Sequence, residues 1–487
     1  MDYILAIDQG TSGTKTIILN NKSEIVRKAT SELRSYFPRS GFVEQDPDEI
    51  YQNVLDSVRE CVEGFADRIT ACGISNQRET FLLWDDSGRP LCPAVVWQCK
   101  RSIEICERLK VTGIEEEIIK RTGLIVDPYF SGTKLIWLLE NNTTVKEAVR
   151  SGKAFFGTVD SWLLFKLTNG KKYGTDYTNA CRTLFFNLDT LEWDDFLVEQ
   201  FGLERLRLPS ALPSSSLFGE TDFHGLIPYS VPIMSMIGDS HAAAFGEGCF
   251  SAGTAKATLG TGTSVLMNTE SRRISSKAGM VSTICWSTKK RVDYALEGII
   301  VTTGGTIKWL RDQLGLFTDS SQTEAMARSL DDNNGVYLIP AFSGLGAPHW
   351  KMGAKASIRG LTFDCDKTHI VRAALESIPY QIKDAITVME NDSGIELKSL
   401  KVDGAISANG FVVQFLADLL NVPVENVGIQ EMSALGAAYL AGLEAGIFAD
   451  ISDIEALRGA PKTIEPTSQR AQVDRWYKQW QDQIQRI

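Results

Sequence analysis

The residues best suited to chemistry lie in two short turns of similar make-up. The first is Asp8-Gln9-Gly10-Thr11-Ser12-Gly13-Thr14-Lys15. Glycines let backbone N–H groups come close to an anion, Thr11 and Ser12 add hydroxyl donors, and Lys15 adds a positive charge. Asp8, at the edge of the turn, is placed to hold Mg²⁺ beside bound phosphates, through waters because that ion dehydrates reluctantly. On this segment alone a plain β-turn is an equal reading, since Gly, Ser, Thr and Asp are ordinary turn residues. The GxxxxGK[ST] spacing is absent, which excludes a P-loop. Gly260-Thr261-Gly262-Thr263 is the counterpart in the second half of the chain. Two such hairpins facing across a cleft would grip a polyphosphate from both sides; singly, each is also a common hairpin turn.

Other residues could act on a second substrate. Asp239 ends an apolar strand, where a half-desolvated carboxylate can serve as a base. It also precedes a helix, and a simple cap is the alternative. Arg78 and Glu79 sit between two apolar runs. On a strand they would point opposite ways as surface residues; at a cleft rim they become a donor and an acceptor for hydroxyls. Trp97 and Tyr129 could wall a pocket or belong to the core. Gly404-Ala405-Ile406-Ser407-Ala408-Asn409, between a strand and a helix, would let an adenine-sized ring lie on the backbone, or is a tight connection. Gly436-Ala437-Ala438 reads as close helix packing.

Strands and helices must place these groups. Tyr3 to Ile7 and Thr16 to Leu19 read as strands around the first turn, with Glu24 to Thr30 continuing the meander. Asp46 is a helix cap, Pro47 takes the first helical position, and Ile50, Val54, Val58 and Val62 recur at helical spacing. Ile69 to Ile74, Phe81 to Trp84 and Ala94 to Trp97 read as further strands. Proline and serine thicken between Leu208 and Pro232, where the chain divides into residues 1–232 and 233–487. The opening pattern then returns: strands at Ile233 to Ile237, Ala255 to Leu259 and Val265 to Asn268 flank the second turn. Strand, Gly/Thr turn, strand in each half hints at an internal duplication. Thr306 to Leu314, Lys367 to Asn391, Asn409 to Leu420 and Ser433 to Ala445 read as helices, Gly446 closing the last, and Lys398 to Val402 as a strand. The alternation indicates an α/β fold.

The composition bounds the rest. At 487 residues, 43% hydrophobic and 23% charged, the chain has the size and balance of a globular protein of two domains. A net charge of −11 argues against non-specific nucleic-acid binding. No stretch approaches the roughly 20 apolar residues of a membrane-spanning helix, and the first residues lack a secretory n-region. Nine scattered cysteines without a CxxC pair and four dispersed histidines fit reduced thiols in the cytoplasm rather than disulfides or a zinc site.

Taken together these segments resemble the glycerol kinases of the FGGY carbohydrate kinase family, within the actin-like ATPase superfamily. The likeness covers nearly the whole chain. It rests on Asp8 to Lys15, Asn76 to Thr80, Val96-Trp97-Gln98, Thr122 to Lys134 and Gly238-Asp239. It continues through Tyr294 to Gly298, Trp309 to Asp312, Gly344 to Pro348 and Leu435 to Gly442. The resemblance implies two actin-like, ribonuclease-H-like domains, each a mixed sheet flanked by helices, with the active site in the cleft between them. It implies ATP and Mg²⁺, the metal at Asp8, and a small polyol substrate, with glycerol first. Asp239 looks like the catalytic base, and Arg78, Glu79, Trp97, Tyr129, Asp239 and Ser240 fall at substrate positions. Thr11, Ser12, Lys15 and Thr261 look like phosphate contacts, and Gly304, Lys308 and Asn409 fall at nucleotide positions. The chain departs from the family at Ser240, usually Gln; at Ser264, usually aromatic; at Cys99, usually Asp; at Ala405, usually Gly; and at Lys308, commonly Gln. Ser240 and Ser264 are short, which leaves room for erythritol, a pentitol or a ketopentose such as xylulose or ribulose as the alternative substrate. A third reading, an actin-like ATPase acting as chaperone, filament subunit or regulator, would leave Arg78, Glu79, Trp97 and Tyr129 without purpose. His224, in the short loop from Phe218 to Val231, reads as a solvated loop residue. A homodimer and a homotetramer both stay open.

Overall fold

The computed structural model describes residues 3–351, 353–429, 431–467 and 470–487. Among them, thirteen strands form one mixed sheet. In chain order they are β1 (Tyr3–Gly10), β2 (Gly13–Asn20), β3 (Ile25–Glu32), β4 (Ile69–Asn76), β5 (Ser215–Thr221), β6 (Val231–Gly238) and β7 (Thr254–Leu259). Then come β8 (Thr263–Glu270), β9 (Val281–Thr288), β10 (Arg291–Ile300), β11 (Ser399–Asp403), β12 (Val424–Asn426) and β13 (Lys462–Ile464). Across the sheet the order is β13-β12-β11-β7-β8-β10-β9-β5-β6-β4-β1-β2-β3.

The duplication hinted at by the two turns runs through the pairing. β1 lies parallel to β4 and antiparallel to β2, which is antiparallel to β3. β7 lies parallel to β11 and antiparallel to β8, which is antiparallel to β10. Outside β4, β6 is parallel and then β5 antiparallel; outside β11, β12 is parallel and then β13 antiparallel. The two sets meet between β5 and β9 through one residue pairing, Ser215 opposite Thr288.

Each Gly/Thr turn therefore sits at the tip of a hairpin whose base is locked into a sheet. In the first, Gly10 pairs with Gly13, leaving Thr11 and Ser12 at the tip. Gly13 is required there, because an added Cβ would lie 2.5 Å from the Ser31 carbonyl oxygen of β3. The stretch from Leu208 to Pro232, rich in proline and serine, is not a bare connection but carries β5. Ser214, Ser215 and Ser216 in it are buried instead of solvated, and Ser215 donates to the Leu440 carbonyl at 3.1 Å. Phe81–Trp84 and Ala94–Val95 lie in a separate four-stranded sheet with Glu44–Gln45 and Phe155–Thr158. The segment between Asn76 and Phe81 thus passes from one sheet to another.

The helices that matter for the site are α1 (Pro47–Cys61), α2 (Tyr177–Ala180), α3 (Asp239–Gly246), α4 (Gly304–Asp312), α5 (Lys367–Ser393), α6 (Gly410–Leu420) and α7 (Met432–Glu444). α1 starts as its sequence requires, with Asp46 accepting from the Asp48 and Glu49 N–H groups. α3 and α7 touch backbone to backbone. An added Cβ at Gly436 would lie 1.8 Å from the Ala242 carbonyl oxygen, and one at Gly246 2.7 Å from that of Met432. The same contact places Ser433 of α7 to donate to the Asp239 carbonyl at 3.0 Å.

Gly436→Ala tests this packing by sign. Helix propensity alone would make alanine more stable by about 1 kcal/mol. Overpacking α7 against α3 should instead lower stability by about 1–3 kcal/mol in urea unfolding.

Candidate active site

The site forms where β4, β6 and β10 end. Arg78 and Glu79 follow β4 and are 6% and 1% exposed. They do not alternate on a strand. Glu79 adopts φ 58°, a left-handed conformation unusual for a side chain of this size, in the connection between the two sheets. Its carboxylate accepts from Arg182 Nε at 2.6 Å, just beyond α2. Arg182 Nη2 lies 2.7 Å from Glu297 Oε2 on β10, and Arg78 Nη1 donates to Glu297 Oε1 at 2.9 Å. Arg78 Nη1 also reaches His241 Nε2 at 3.2 Å, while Arg78 Nε lies 3.3 Å from Asp239 Oδ1.

Burial and pairing compete in this cluster. Burial pushes the Glu297 carboxyl up, but Arg182 and Arg78 overcome it and hold that carboxyl well below the usual carboxylate range. Burial and the neighbouring Arg78 hold His241 well below its ordinary value, so it is neutral. Two guanidinium groups thus face the carboxylates of Glu79, Glu297 and Asp239, and one negative charge is left over. Glu79 and Glu297 are buried, whereas the Asp239 side chain is 37% exposed. The unbalanced carboxylate is therefore the one that opens to the outside. Asp239 is the first residue of α3, and its Oδ1 accepts from the Ser240 N–H at 2.6 Å.

Two aromatic rings stand near the Arg78–Glu79 pair. Trp97 and Tyr129 meet edge to face with centroids 5.6 Å apart. Lys134, fully buried, donates to the carbonyls of Val96, Trp97 and Tyr129 at 3.4, 3.3 and 2.9 Å, fixing both rings through their backbones. Trp97 Nε1 donates to Thr11 Oγ1 at 2.9 Å, and Thr11 donates to Gln77 Oε1 at 3.3 Å. The aromatic wall and the first Gly/Thr turn are thus one bonded unit. On the opposite side Ser240 and Ser264 bring their hydroxyls to 3.5 Å. Ser264 donates to Glu297 at 2.9 Å, and the buried Lys256 donates to Ser240 Oγ at 2.7 Å.

Asp8, at the end of β1, accepts from Ser75 Oγ at 2.9 Å. Burial and the Asp239 charge push its carboxyl up to about 6, against the pull of Ser75 and Lys15. Ser12 is exposed at the hairpin tip and Lys15 half-buried. The second turn gathers the remaining candidates. The Gly304 N–H donates to the Gly260 carbonyl at 3.0 Å, and the Gly305 N–H to that of Thr261 at 3.0 Å. An added Cβ at Gly304 would lie 2.8 Å from Ile406, and Gly404, at φ 87°, leaves no room for a Cβ beside the Leu259 carbonyl. The Thr261 side chain, the start of α4 and the 404–409 segment therefore share one corner. Asn409 caps α6, accepting from the Phe411 and Val412 N–H groups. Lys308 is exposed a turn further along α4. His224 is exposed but bonded to Tyr51.

Arg182, Glu297, His241 and Lys256 are absent from the residue-by-residue expectation. Each is a charged or polar residue inside an otherwise apolar or small run, such as Tyr294-Ala295-Leu296-Glu297-Gly298, and that misfit is the signal that could have found them.

This two-lobed α/β arrangement, with paired Gly/Thr hairpins and a half-open carboxylate, is that of a sugar or polyol phosphotransferase. The chain belongs to the FGGY family of carbohydrate kinases, whose N-terminal domain matches residues 3–246 and whose C-terminal domain matches residues 255–445. It is 44% identical over 492 residues to glycerol kinase 2 of Thermotoga maritima, covering 100% of this chain and 99% of that one. It is 44% identical over 488 residues to glycerol kinase of Carboxydothermus hydrogenoformans, covering 99% and 98%. Among solved structures, glycerol kinase of Plasmodium falciparum with ADP superposes with a TM-score of 0.94 at 34% identity, covering 100% of this chain and 98% of that one. Xylulose kinase of Lactobacillus acidophilus shares the fold, with a TM-score of 0.89 at 22% identity over 99% and 98%.

Two variants probe the electrostatics. The folded Asp8 carboxyl holds its proton to about 6, whereas an unfolded one releases it near about 3.9. Between those values the folded state binds more protons, so its stability falls as pH rises. Asp8→Asn should therefore melt higher than wild type at pH 7.5 by the equivalent of about 1–3 kcal/mol, a gain absent at pH 4 in ligand-free thermal scans. Glu297→Gln takes one carboxylate partner from each of two buried guanidinium groups and should cost about 3–5 kcal/mol in urea unfolding.

Proposed function

We propose that this protein transfers the γ-phosphoryl group of ATP to a terminal hydroxyl of glycerol, yielding glycerol 3-phosphate, with Asp239 as general base. The observation that carries this reading is the leftover negative charge on Asp239, the exposed member of a buried and otherwise balanced cluster. The full-length likeness to glycerol kinases supports the choice of acceptor.

In this reading Arg78 and Glu79 hold the polyol hydroxyls, and Trp97 and Tyr129 cover its carbon chain. Asp239 accepts the proton of the attacking hydroxyl as the new P–O bond forms and the bond to ADP breaks. Thr11, Ser12, Lys15 and Thr261 hold the phosphates, while Gly304 and the 404–409 backbone bed the nucleoside. Catalysis is then mostly positioning and charge stabilisation. Mg²⁺ fits at Asp8, because that ion takes one or two carboxylates with water and phosphate oxygens, and the mutual repulsion of Asp8 and Asp239 is what a cation would relieve. Bound there, it would neutralise charge on the phosphate oxygens. Composition divides the lobes after residue 232, although β6, which spans that point, pairs with β4 of the first half. Closing them would keep water from the phosphoryl group. The free cysteines fit a cytoplasmic enzyme.

One observation favours a second reading, a larger polyol or ketose. Ser240 and Ser264 present short hydroxyls to the site and are already linked to Lys256 and Glu297. A coupled ADP-release assay over glycerol, erythritol, ribitol, xylitol, xylulose and ribulose decides between them; glycerol turned over more slowly than a larger acceptor would refute the first. Asp239→Asn should lower kcat by about 100- to 10,000-fold, and near-normal turnover would remove Asp239 from the role of base.

A further inference from the structure

Asp176 lies outside the residues that face the substrates, yet it is fully buried in the middle of their supports. It caps α2, accepting from the Thr178 and Asn179 N–H groups, which is all a helix cap needs. Three more donors converge on the same carboxylate. These are the Thr178 hydroxyl at 2.8 Å, Asn179 Nδ2 at 2.8 Å and the Ser214 hydroxyl at 2.7 Å.

Each of those three is bonded onward to a different part of the site. Thr178 Oγ1, its proton given to Asp176, accepts from the Gly238 N–H at 2.8 Å, one residue before Asp239. Asn179 exchanges two hydrogen bonds with Asn76, at 2.9 and 3.0 Å, where β4 runs into Arg78 and Glu79. The Ser214 N–H donates to Ser287 Oγ of β9 at 2.8 Å, across the join between the two halves of the sheet. α2 itself ends two residues before Arg182, which holds both Glu79 and Glu297. A cap for so short a helix does not account for a carboxylate that ties down three onward links at once.

We propose that Asp176 is a positioning residue for phosphoryl transfer, acting through Thr178 and Asn179 to set Asp239 against the Arg78–Glu79 pair. The Thr178 hydroxyl is the link that aims the base, and Asn179 the link that aims the polyol clamp. The transfer step rests on the polyol-kinase reading above; the positioning does not.

Thr178→Val is the informative variant. It keeps the shape of the residue and the N–H that completes the cap, but it removes the acceptor for Gly238. The expected result is a fall in kcat of about 10- to 100-fold, since a misplacement near 1 Å costs on the order of 100-fold, with KM for the polyol changed less than about threefold. Thr178→Ser should restore kcat. If Thr178→Val fails to fold, Asn179→Ser, which cuts the tie to Asn76, should lower kcat by about 10- to 100-fold, and wild-type kcat in that variant would overturn the proposal. Thr178→Val with wild-type kcat, or Thr178→Ser as impaired as Thr178→Val, would overturn the proposal. A crystal structure of Thr178→Val reads the positioning without any assay: Asp239 displaced from Arg78 supports it, and Asp239 unmoved overturns it. A wild type inactive on every polyol, with Asp239 displaced in that structure, would sink the kinase reading and leave the positioning intact.

Discussion

Charges cannot be left alone in a dry interior, and that constraint organises the centre of this molecule. Arg78, Arg182, Glu79 and Glu297 are all nearly inaccessible to water and survive there only by facing one another. Three of them come from the first half of the chain and Glu297 from β10 of the second. The pairing that satisfies these charges is also a pin through both halves at the place where chemistry is proposed. Because the cluster carries one more carboxylate than guanidinium, the surplus falls on the member that can reach solvent. In the proposed mechanism the base is thus selected by burial as much as by its identity.

Much of the architecture was legible from residue pattern. The apolar run before Asp8, the return of the same strand–turn–strand order after Pro232, and the Asp46-Pro47 helix start each correspond to an element found in the structure. Local rules suffice where neighbours in sequence do the work. They were silent about β5, because serine and proline in a row look like a connection until Ser214 and Ser215 find buried partners far along the chain. Arg78 and Glu79 were legible as functional, but their geometry was not. The left-handed Glu79 is imposed by the passage between two sheets, and that passage exists only once the chain is folded. Arg182 and Glu297 were harder still: each is marked locally only by its misfit in the run around it, and the pairing that gives it meaning spans 115 positions.

The two halves repeat one pairing scheme but use it differently. In the first, the hairpin tip is tied to an aromatic wall through Trp97 and Thr11. In the second, the matching tip is tied by backbone bonds to the start of α4 and lies against the 404–409 segment. One copy has therefore been joined to an aromatic pair and the other to a backbone of small residues. In the proposed reading, a duplicated frame with divergent attachments would bring two unlike molecules to a common centre.

The join at Ser215 and Thr288 has a mechanical consequence. Elsewhere the strands are laced along much of their length, and bending across them would rupture several rungs together. Here the lacing is one rung wide. Bending the sheet along this line would break fewer rungs than at any other pairing within it, and the ladders on either side would stay whole.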